Sequence, residues 1–363
     1  MTATIIIKAQ DIAGAAIKAP VRRPKNHMLL PELEENIHKI LLQIYPESRA
    51  VKKPFMLKRL HPYSGGHDSL VYMVSVNGMD ERFILKQHNP KHDREWAKLC
   101  AKREYEVLIN LAHELPQHSQ RTGVPQVVAF FPENHAILMK ECPGESFAHM
   151  LRWTRIRRVW TEHRLLRGAT SCGEWLGVFH RASRQIKVKS AEVQGEIERM
   201  FSNDLHSCGR LGLEERILTR AADYFTKRYR EVFQGALEYT GHHGDFGPHN
   251  IFLSAEGAMA IDFEGFRIGL PGEDLADFLV LLNLLPFYHA SASLRSNLRR
   301  AFLDGYSRQR PLQIELLSVF ELQALVKRMA HNPQLNISAD RIVWHKREQL
   351  LGFYRKYFES LLQ

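Results

Sequence analysis

The residues best able to do chemistry lie in one run, His242-His243-Gly244-Asp245-Phe246-Gly247-Pro248-His249-Asn250, with Asp262-Phe263-Glu264 following twelve residues after Asn250. An Asp and an Asn five positions apart on a loop, with a second Asp delivered by the next strand turn, can converge oxygen ligands on Mg²⁺. One carboxylate is still left to meet a substrate hydroxyl. This is equipment for phosphoryl transfer. The histidines of the run carry no HxxxH or HExxH spacing, so they do not read as a zinc centre.

The elements that must position this run are legible in the hydrophobic period. Leu33, Ile37, Ile40, Leu41 and Tyr45 share one helical face. The period then falls to two over Met56 to Leu60, Leu70 to Val76 and Arg82 to His88, with Asn77-Gly78 as a reverse turn, which predicts three antiparallel strands. Helical spacing returns over Trp96 to Ala112, and Val127 to Phe131 and Ala136 to Lys140 read as two more strands around a turn at 132–135. Beyond Pro143-Gly144 nearly everything reads as helix until a strand-rich island between His242 and Ile268, and helix resumes from Asp274.

The strand-rich half offers groups for phosphates. Lys86 lies on its third strand, where a cation can reach the α- and β-phosphates of a nucleotide if a helix glutamate holds it. The following helix supplies Glu95, Glu104 and Glu106. Between the first two strands, Ser64-Gly65-Gly66-His67-Asp68-Ser69 forms a turn whose glycines let backbone amides approach phosphate oxygens.

Composition bounds the reading. At ~150 residues per domain, 363 residues suggest two domains or lobes. With 44% hydrophobic and 25% charged residues the chain is neither disordered nor fibrous. Cys100, Cys142, Cys172 and Cys208 are scattered without a CxxC pair, which points to a reducing cytoplasm and not to a disulfide framework. The longest largely apolar stretch, Phe278 to Leu285, is far short of the ~20 residues that span a bilayer, and no secretory core follows Ile5 to Ile7, so export is not expected.

Fifty Lys and Arg against 40 Asp and Glu give a net +10. Residues 1–27 hold five Lys or Arg and one Asp and read as an extension. Arg152 to Arg167 holds six arginines and one glutamate, with Trp153, Ile156 and Trp160 spaced for one helical face. From Pro286 onward there are 12 Lys or Arg against six Asp or Glu. No aromatic RNP-like strand motif accompanies this charge, so no nucleic-acid partner is expected, while the basic C-terminal region leaves room for peripheral membrane contact.

Over roughly residues 55 to 285, these motifs in this order resemble the aminoglycoside phosphotransferase and choline kinase-like family of small-molecule kinases. The resemblance implies an α+β, two-lobed, protein-kinase-like fold, with a small N-lobe of five antiparallel strands plus a helix and a larger, mainly helical C-lobe. It divides the chain into an N-terminal extension (1–27), a nucleotide-binding N-lobe (28–141) and a C-lobe with the catalytic loop and acceptor helices (142–363). It further implies ATP and Mg²⁺ as cofactors, Asp245 as catalytic base, and Asn250 and Asp262 as magnesium ligands. Asp274 in Asp274-Leu275-Ala276 would brace the catalytic loop, and His243 and His180 would be structural.

Arg103-Glu104 matches the family pattern for the partner of Lys86, and Gly65, Gly66 and Ser69 match its nucleotide loop. Ala136 to Gly144 resembles the hinge, where the carbonyl of Lys140 and the amide of Cys142 would read adenine and Met139 would wall the ring. The implied reaction phosphorylates a hydroxyl of a small molecule such as a sugar, an amino alcohol or a related glycoconjugate. The positive balance favours a neutral or anionic acceptor over a polycation.

Two other readings share the fold. A protein kinase would need an activation segment, whereas only nine residues, Gly265 to Glu273, separate Glu264 from Asp274, and Phe246-Gly247 stands where protein kinases carry Leu-Lys. A pseudokinase or basic binding module would be expected to have lost part of the set, and Lys86, Asp245, Asn250 and Asp262 are all present.

Overall fold

The computed structural model describes residues 31–45, 55–60, 69–76, 80–89, 93–152, 158–183, 185–234, 236–284, 291–312, 314–332, 335 and 341–362. Residues 1–27, the Asn77-Gly78 turn, Gly65, Gly66 and the face built on Trp153, Ile156 and Trp160 lie outside the described residues or side chains.

Helix α1 (Pro31–Ile44) buries Leu33, Ile37 and Leu41, the one-face spacing read from the sequence. Strands β1 (Phe55–Leu60), β2 (Ser69–Val76) and β3 (Arg82–His88) pair antiparallel in sequence. Helix α2 (Arg94–His118) starts at Asp93, whose side chain accepts the Trp96 amide and satisfies one of the open N–H groups of the first turn. After the short β4 (Thr122–Gly123), β5 (Val127–Phe131) and β6 (Ala136–Lys140) complete a five-stranded sheet in the order β1-β2-β3-β6-β5. Val74, Phe83, Leu85 and Leu138 of this sheet, all fully buried, form one core with α1. Burying each such side chain contributes roughly 1.5–3 kcal/mol.

The segment between β6 and the loop after β9 departs in part from the sequence reading. Strand β7 (Glu145–Ser146) leads into helices α3 (Phe147–Arg152) and α4 (Arg158–Ala182), and then β8 (Ile186–Lys189), α5 (Ser190–Arg210), α6 (Glu215–Val232) and β9 (Ala236–His242) follow. The sequence reading placed nearly all of this region in helix. Instead β8 pairs with β9, Val188 opposite Leu237, around the two helices. Strand β8 is short and mostly exposed, so no alternation betrays it.

Strands β10 (Ile251–Leu253) and β11 (Ala258–Ala260) form a hairpin, and β12 (Arg267–Gly269) returns to pair with β9. Helix α7 (Pro271–Leu284) begins three residues before Asp274, because Pro271 suits a first helical position that needs no N–H partner. Helices α8 (Ala292–Ser307), α9 (Ile314–Ala330) and α10 (Arg341–Leu361) complete the chain.

Two further cores hold the helical half. In the first, Trp175 of α4 stacks on Phe246 of the loop after β9 with ring centroids 5.5 Å apart, and its indole N–H donates to the Gly123 carbonyl at 2.8 Å. Phe278 of α7 stacks on the other neighbours, Phe246 and Phe302. The second core packs Phe201, Phe225, Tyr229 and Phe233 of α5, α6 and the turn after them against α9 and α10. Helix α9 therefore lies between the loop after β9 and α10, which decides what its side chains can reach.

Candidate active site

The loop between β9 and β10 is fastened from below by Asp274. Its carboxylate accepts the backbone amides of His243 at 2.8 Å and Gly244 at 3.2 Å, and it meets His180 Nε2 and His242 Nε2, each at 3.2 Å. Burial raises its pKa, but the imidazoles of His242 and His180 outweigh burial and hold it well below the ordinary carboxylate range. Gly244 has φ +90°, and a Cβ there would fall 2.3 Å from the Gly265 carbonyl oxygen. Only glycine fits so close to the neighbouring turn. His243 turns inward, with Nε2 3.0 Å from the Ile261 carbonyl, and His180 is fully buried between Asp274 and Tyr306. Both histidines hold structure.

The hairpin explains how Asn250 and Asp262 come together across twelve residues. Ile251 pairs with Ala260, so the two side chains flank one end of the ladder, and the Ile261 amide donates to the Asn250 carbonyl at 2.9 Å. Asn250 Nδ2 donates to the Asp245 carbonyl at 3.0 Å, which leaves Oδ1 for a cation. Asp262 sits in the left-handed region at φ 70°, a conformation costly for a residue with a Cβ and common at functional positions.

Lys86, on β3, meets these groups from the other lobe. Its ammonium lies 2.9 Å from Glu104 Oε1, 2.5 Å from Asp262 Oδ1 and 3.7 Å from Glu264 Oε2. Of the three candidate helix partners, Glu104 is the one brought to Lys86; Glu106 faces Lys102 and Glu95 is exposed. Burial opposes charge on both members of the pair. The carboxylates nevertheless hold the Lys86 pKa above its ordinary value, and the Lys86 charge holds Glu104 down at about 2. Glu104 Oε1 also accepts the Phe263 amide at 3.2 Å, tying α2 to the turn after β11.

Sequence reasoning did not single out three further groups. His88 Nε2 is 2.9 Å from Glu104, and Glu264 Oε2 is 3.5 Å from His88 Nδ1 and 3.3 Å from Ser69 Oγ. Their signal was available: His88 shares the Lys86 face by the two-residue period, and Glu264 ends Asp-Phe-Glu. The third, Arg328 of α9, donates to Asp245 Oδ1 at 2.9 Å from 83 positions away, and no local pattern marks it.

Asp245 itself is half-exposed, with Oδ2 3.3 Å from His249 Nε2. Burial raises its pKa, while the His249 hydrogen bond and the Arg328 charge outweigh burial and hold it well below the carboxylate range. It is an anion at neutral pH. At the other end of the cleft, Met139 is buried opposite Ile84, the Lys140 ammonium pairs with Glu81 at 2.5 Å, and the Cys142 thiol is pushed up to about 12 by burial and the Glu141 charge. That thiol is inert at neutral pH.

One lysine shared by Glu104, Asp262 and Glu264 leaves carboxylate charge unmatched, and the donors are hard oxygens, a set suited to Mg²⁺. Among the described residues no three His, Cys, Asp or Glu side chains converge as a self-sufficient metal centre. Such a cation would complete its shell with water and phosphate oxygens, the usual habit of magnesium.

Comparison with curated proteins gives no match. Among solved structures, the chain is similar in fold to a glucosamine kinase in complex with glucosamine, ADP and inorganic phosphate, with TM-score 0.55, 15% identity, and 89% of this chain and 97% of that chain covered. A choline kinase from Cryptosporidium parvum gives TM-score 0.51 and 13% identity over 90% and 94% of the two chains. A spectinomycin phosphotransferase in complex with ADP and spectinomycin gives TM-score 0.51 and 13% identity over 84% and 92%. These likenesses establish the kinase-like fold. The sequence model of the phosphotransferase enzyme family matches residues 59–313, more than half of the chain, with the β9–β10 loop, the hairpin and Lys86 all inside the match, and the chain therefore belongs to the phosphotransferase enzyme family.

Proposed function

We propose that this phosphotransferase moves the γ-phosphoryl group of ATP, with Mg²⁺, to a hydroxyl of a small molecule, and that Asp245 is its catalytic base. The observation that supports this most is the convergence of Lys86, Glu104 and Asp262 from three elements on one point, with Asn250 and Asp245 on the adjoining loop.

In this reading the acceptor hydroxyl donates a hydrogen bond to Asp245, which takes the proton as the new O–P bond forms and the bond from the γ-phosphorus to the bridging oxygen breaks, releasing ADP. Lys86, held by Glu104, positions the α- and β-phosphates. Asn250 and Asp262 would hold the magnesium ion, which when bound neutralises phosphate charge. The backbone at Lys140 and Cys142 reads adenine beside Met139, and Ser69 meets the phosphates; Gly65 and Gly66 lie outside the described residues. Asp245 is a weak base, so most of the acceleration comes from alignment and charge stabilisation and not from proton affinity.

The acceptor is small. The nine residues between Glu264 and Asp274 are occupied by a 3-10 turn, β12 and the start of α7, with β12 paired to β9, so this stretch provides no activation segment to dock a peptide. The basic balance beyond Pro286 favours a neutral or anionic alcohol. A screen of sugars, amino alcohols, nucleosides and aminoglycosides by coupled ADP release tests the proposal. Magnesium-dependent ADP release stimulated by an alcohol and lost in Asp245→Ala is expected. Acceptor-dependent transfer that survives intact in Asp245→Ala would overturn the assignment.

A further inference from the structure

Helix α9 sends a cation to the candidate base. Arg328 Nη2 lies 2.9 Å from Asp245 Oδ1, and its Nε lies 3.3 Å from Oδ1 of Asp277, which stands on α7. One edge of the guanidinium thus bridges two carboxylates carried by different elements. Asp277 is 98% buried, being only 2% exposed. Neither its Oδ1 nor Arg328 Nε has an aligned hydrogen-bond partner, so the contact there is charge against charge. The second cation near Asp277 is Lys327, at 3.7 Å and half-exposed.

A buried carboxylate is costly unless a cation or a set of donors compensates it; among the described residues the ion pairs of Asp277 are with two cations of α9, and Arg267 of β12 adds its charge from further off. Two anions converge on a volume the size of one guanidinium, next to the place where an acceptor hydroxyl must meet Asp245. The neighbours of Arg328 on α9, Leu325, Val326 and Met329, are fully buried in the second helical core and fix where the guanidinium can go.

We propose that Asp245 and Asp277 form an organic-cation site which the protein fills with its own Arg328, and that this tethered guanidinium makes acceptors bearing an ammonium group beside the reactive hydroxyl poor substrates. The cation site stands on the geometry alone. The consequence for acceptors rests on the function proposed above. Arg328 acts as a specificity residue: it fixes one oxygen of the base and occupies the position that a substrate amine would take. In its absence the same two carboxylates would attract that amine.

The test uses the full chain and methylguanidinium as the probe, with neither nucleotide nor acceptor. Ligand-observed NMR on the methyl resonance should show saturable binding to Arg328→Ala. Binding should be at least tenfold weaker or undetectable in the wild type and in the double variant D277N/R328A. Arg328→Gln keeps the aliphatic stem and carries the same expectation, so a folding failure of the alanine variant does not rescue the idea. Equal binding to wild type and R328A, or binding to R328A that ignores Asp277→Asn, overturns the site.

A second arm compares ADP release with glucose and glucosamine. The ratio of kcat/KM, glucosamine over glucose, should rise at least tenfold in R328Q relative to wild type, and an unchanged ratio overturns the specificity claim. If neither sugar elicits ADP release from any variant, transfer to sugars is wrong while the methylguanidinium result still decides the cation site.

Discussion

Asp245 and Asp262 face different partners, and their substitutions should separate. Asp245→Ala should lower turnover by about 10²–10⁴-fold, the usual worth of a positioned base, and leave nucleotide affinity within a few-fold. Asp262→Ala should weaken Mg·ATP binding as well as turnover, because its carboxylate lies beside Lys86 where the phosphates are expected. Calorimetric titration distinguishes the two, and wild-type Mg·ATP affinity in the Asp262 variant would contradict its metal role. Lys86→Ala and Glu104→Ala should be strongly non-additive in kcat/KM, since each loses its meaning without the other at 2.9 Å.

Glu104 also predicts a pH dependence. Its folded pKa, about 2, lies below the ordinary carboxylate value of 4.5, so the folded state binds fewer protons than the unfolded chain in that window. Its stabilising contribution is therefore present above the ordinary value and is lost as pH falls toward the folded one. Glu104→Gln should flatten the acid limb of a Tm-against-pH curve between about pH 5 and 2. Most of this constellation was legible because its residues are close in sequence or share a face by period. Arg328 and Asp277 were not, since their meaning comes from the packing of α9 on α7 and not from any spacing.

At the scale of elements, the small-lobe sheet was readable because its strands are short runs of branched and aromatic residues, with alternating burial along most of β2, and the β5–β6 turn is marked by Pro132. The β8–β9 pair was not, because 46 residues separate Lys189 from Ala236 and pairing at that range leaves no local trace. The tight approach of α4 to α8 is equally silent in a period analysis. A Cβ on Gly305 would lie 2.2 Å from the Thr170 carbonyl oxygen, so the two backbones touch without a side chain between them. Gly305→Ala should push α8 outward at a cost of roughly 1–3 kcal/mol, seen as a lowered Tm, despite alanine's better helix propensity. A variant as stable as wild type would show that the helices can separate freely.

At the scale of the molecule, what matters is where the net +10 lies relative to the cleft. The region beyond Pro286 supplies an excess of +6, 12 basic against six acidic residues, and it includes α9, whose Arg328 reaches the loop of Asp245 and whose Lys327 faces Asp277 of α7. A field of one sign beside a cleft raises the encounter rate of oppositely charged ligands, and salt removes the advantage over ~8 Å at physiological ionic strength. The KM of an anionic acceptor should therefore rise with salt more steeply than that of its neutral analogue, while kcat for both changes little. The Arg328–Asp245 contact, at 2.9 Å, is far shorter than the screening length, so it should respond to salt less than charges acting at a distance do. Steady-state kinetics on a matched pair, a sugar and its phosphate monoester, from low to physiological salt would check this. Parallel salt responses would mean that the surface charge does not reach the acceptor's path, and that any charge preference is set at Arg328 alone.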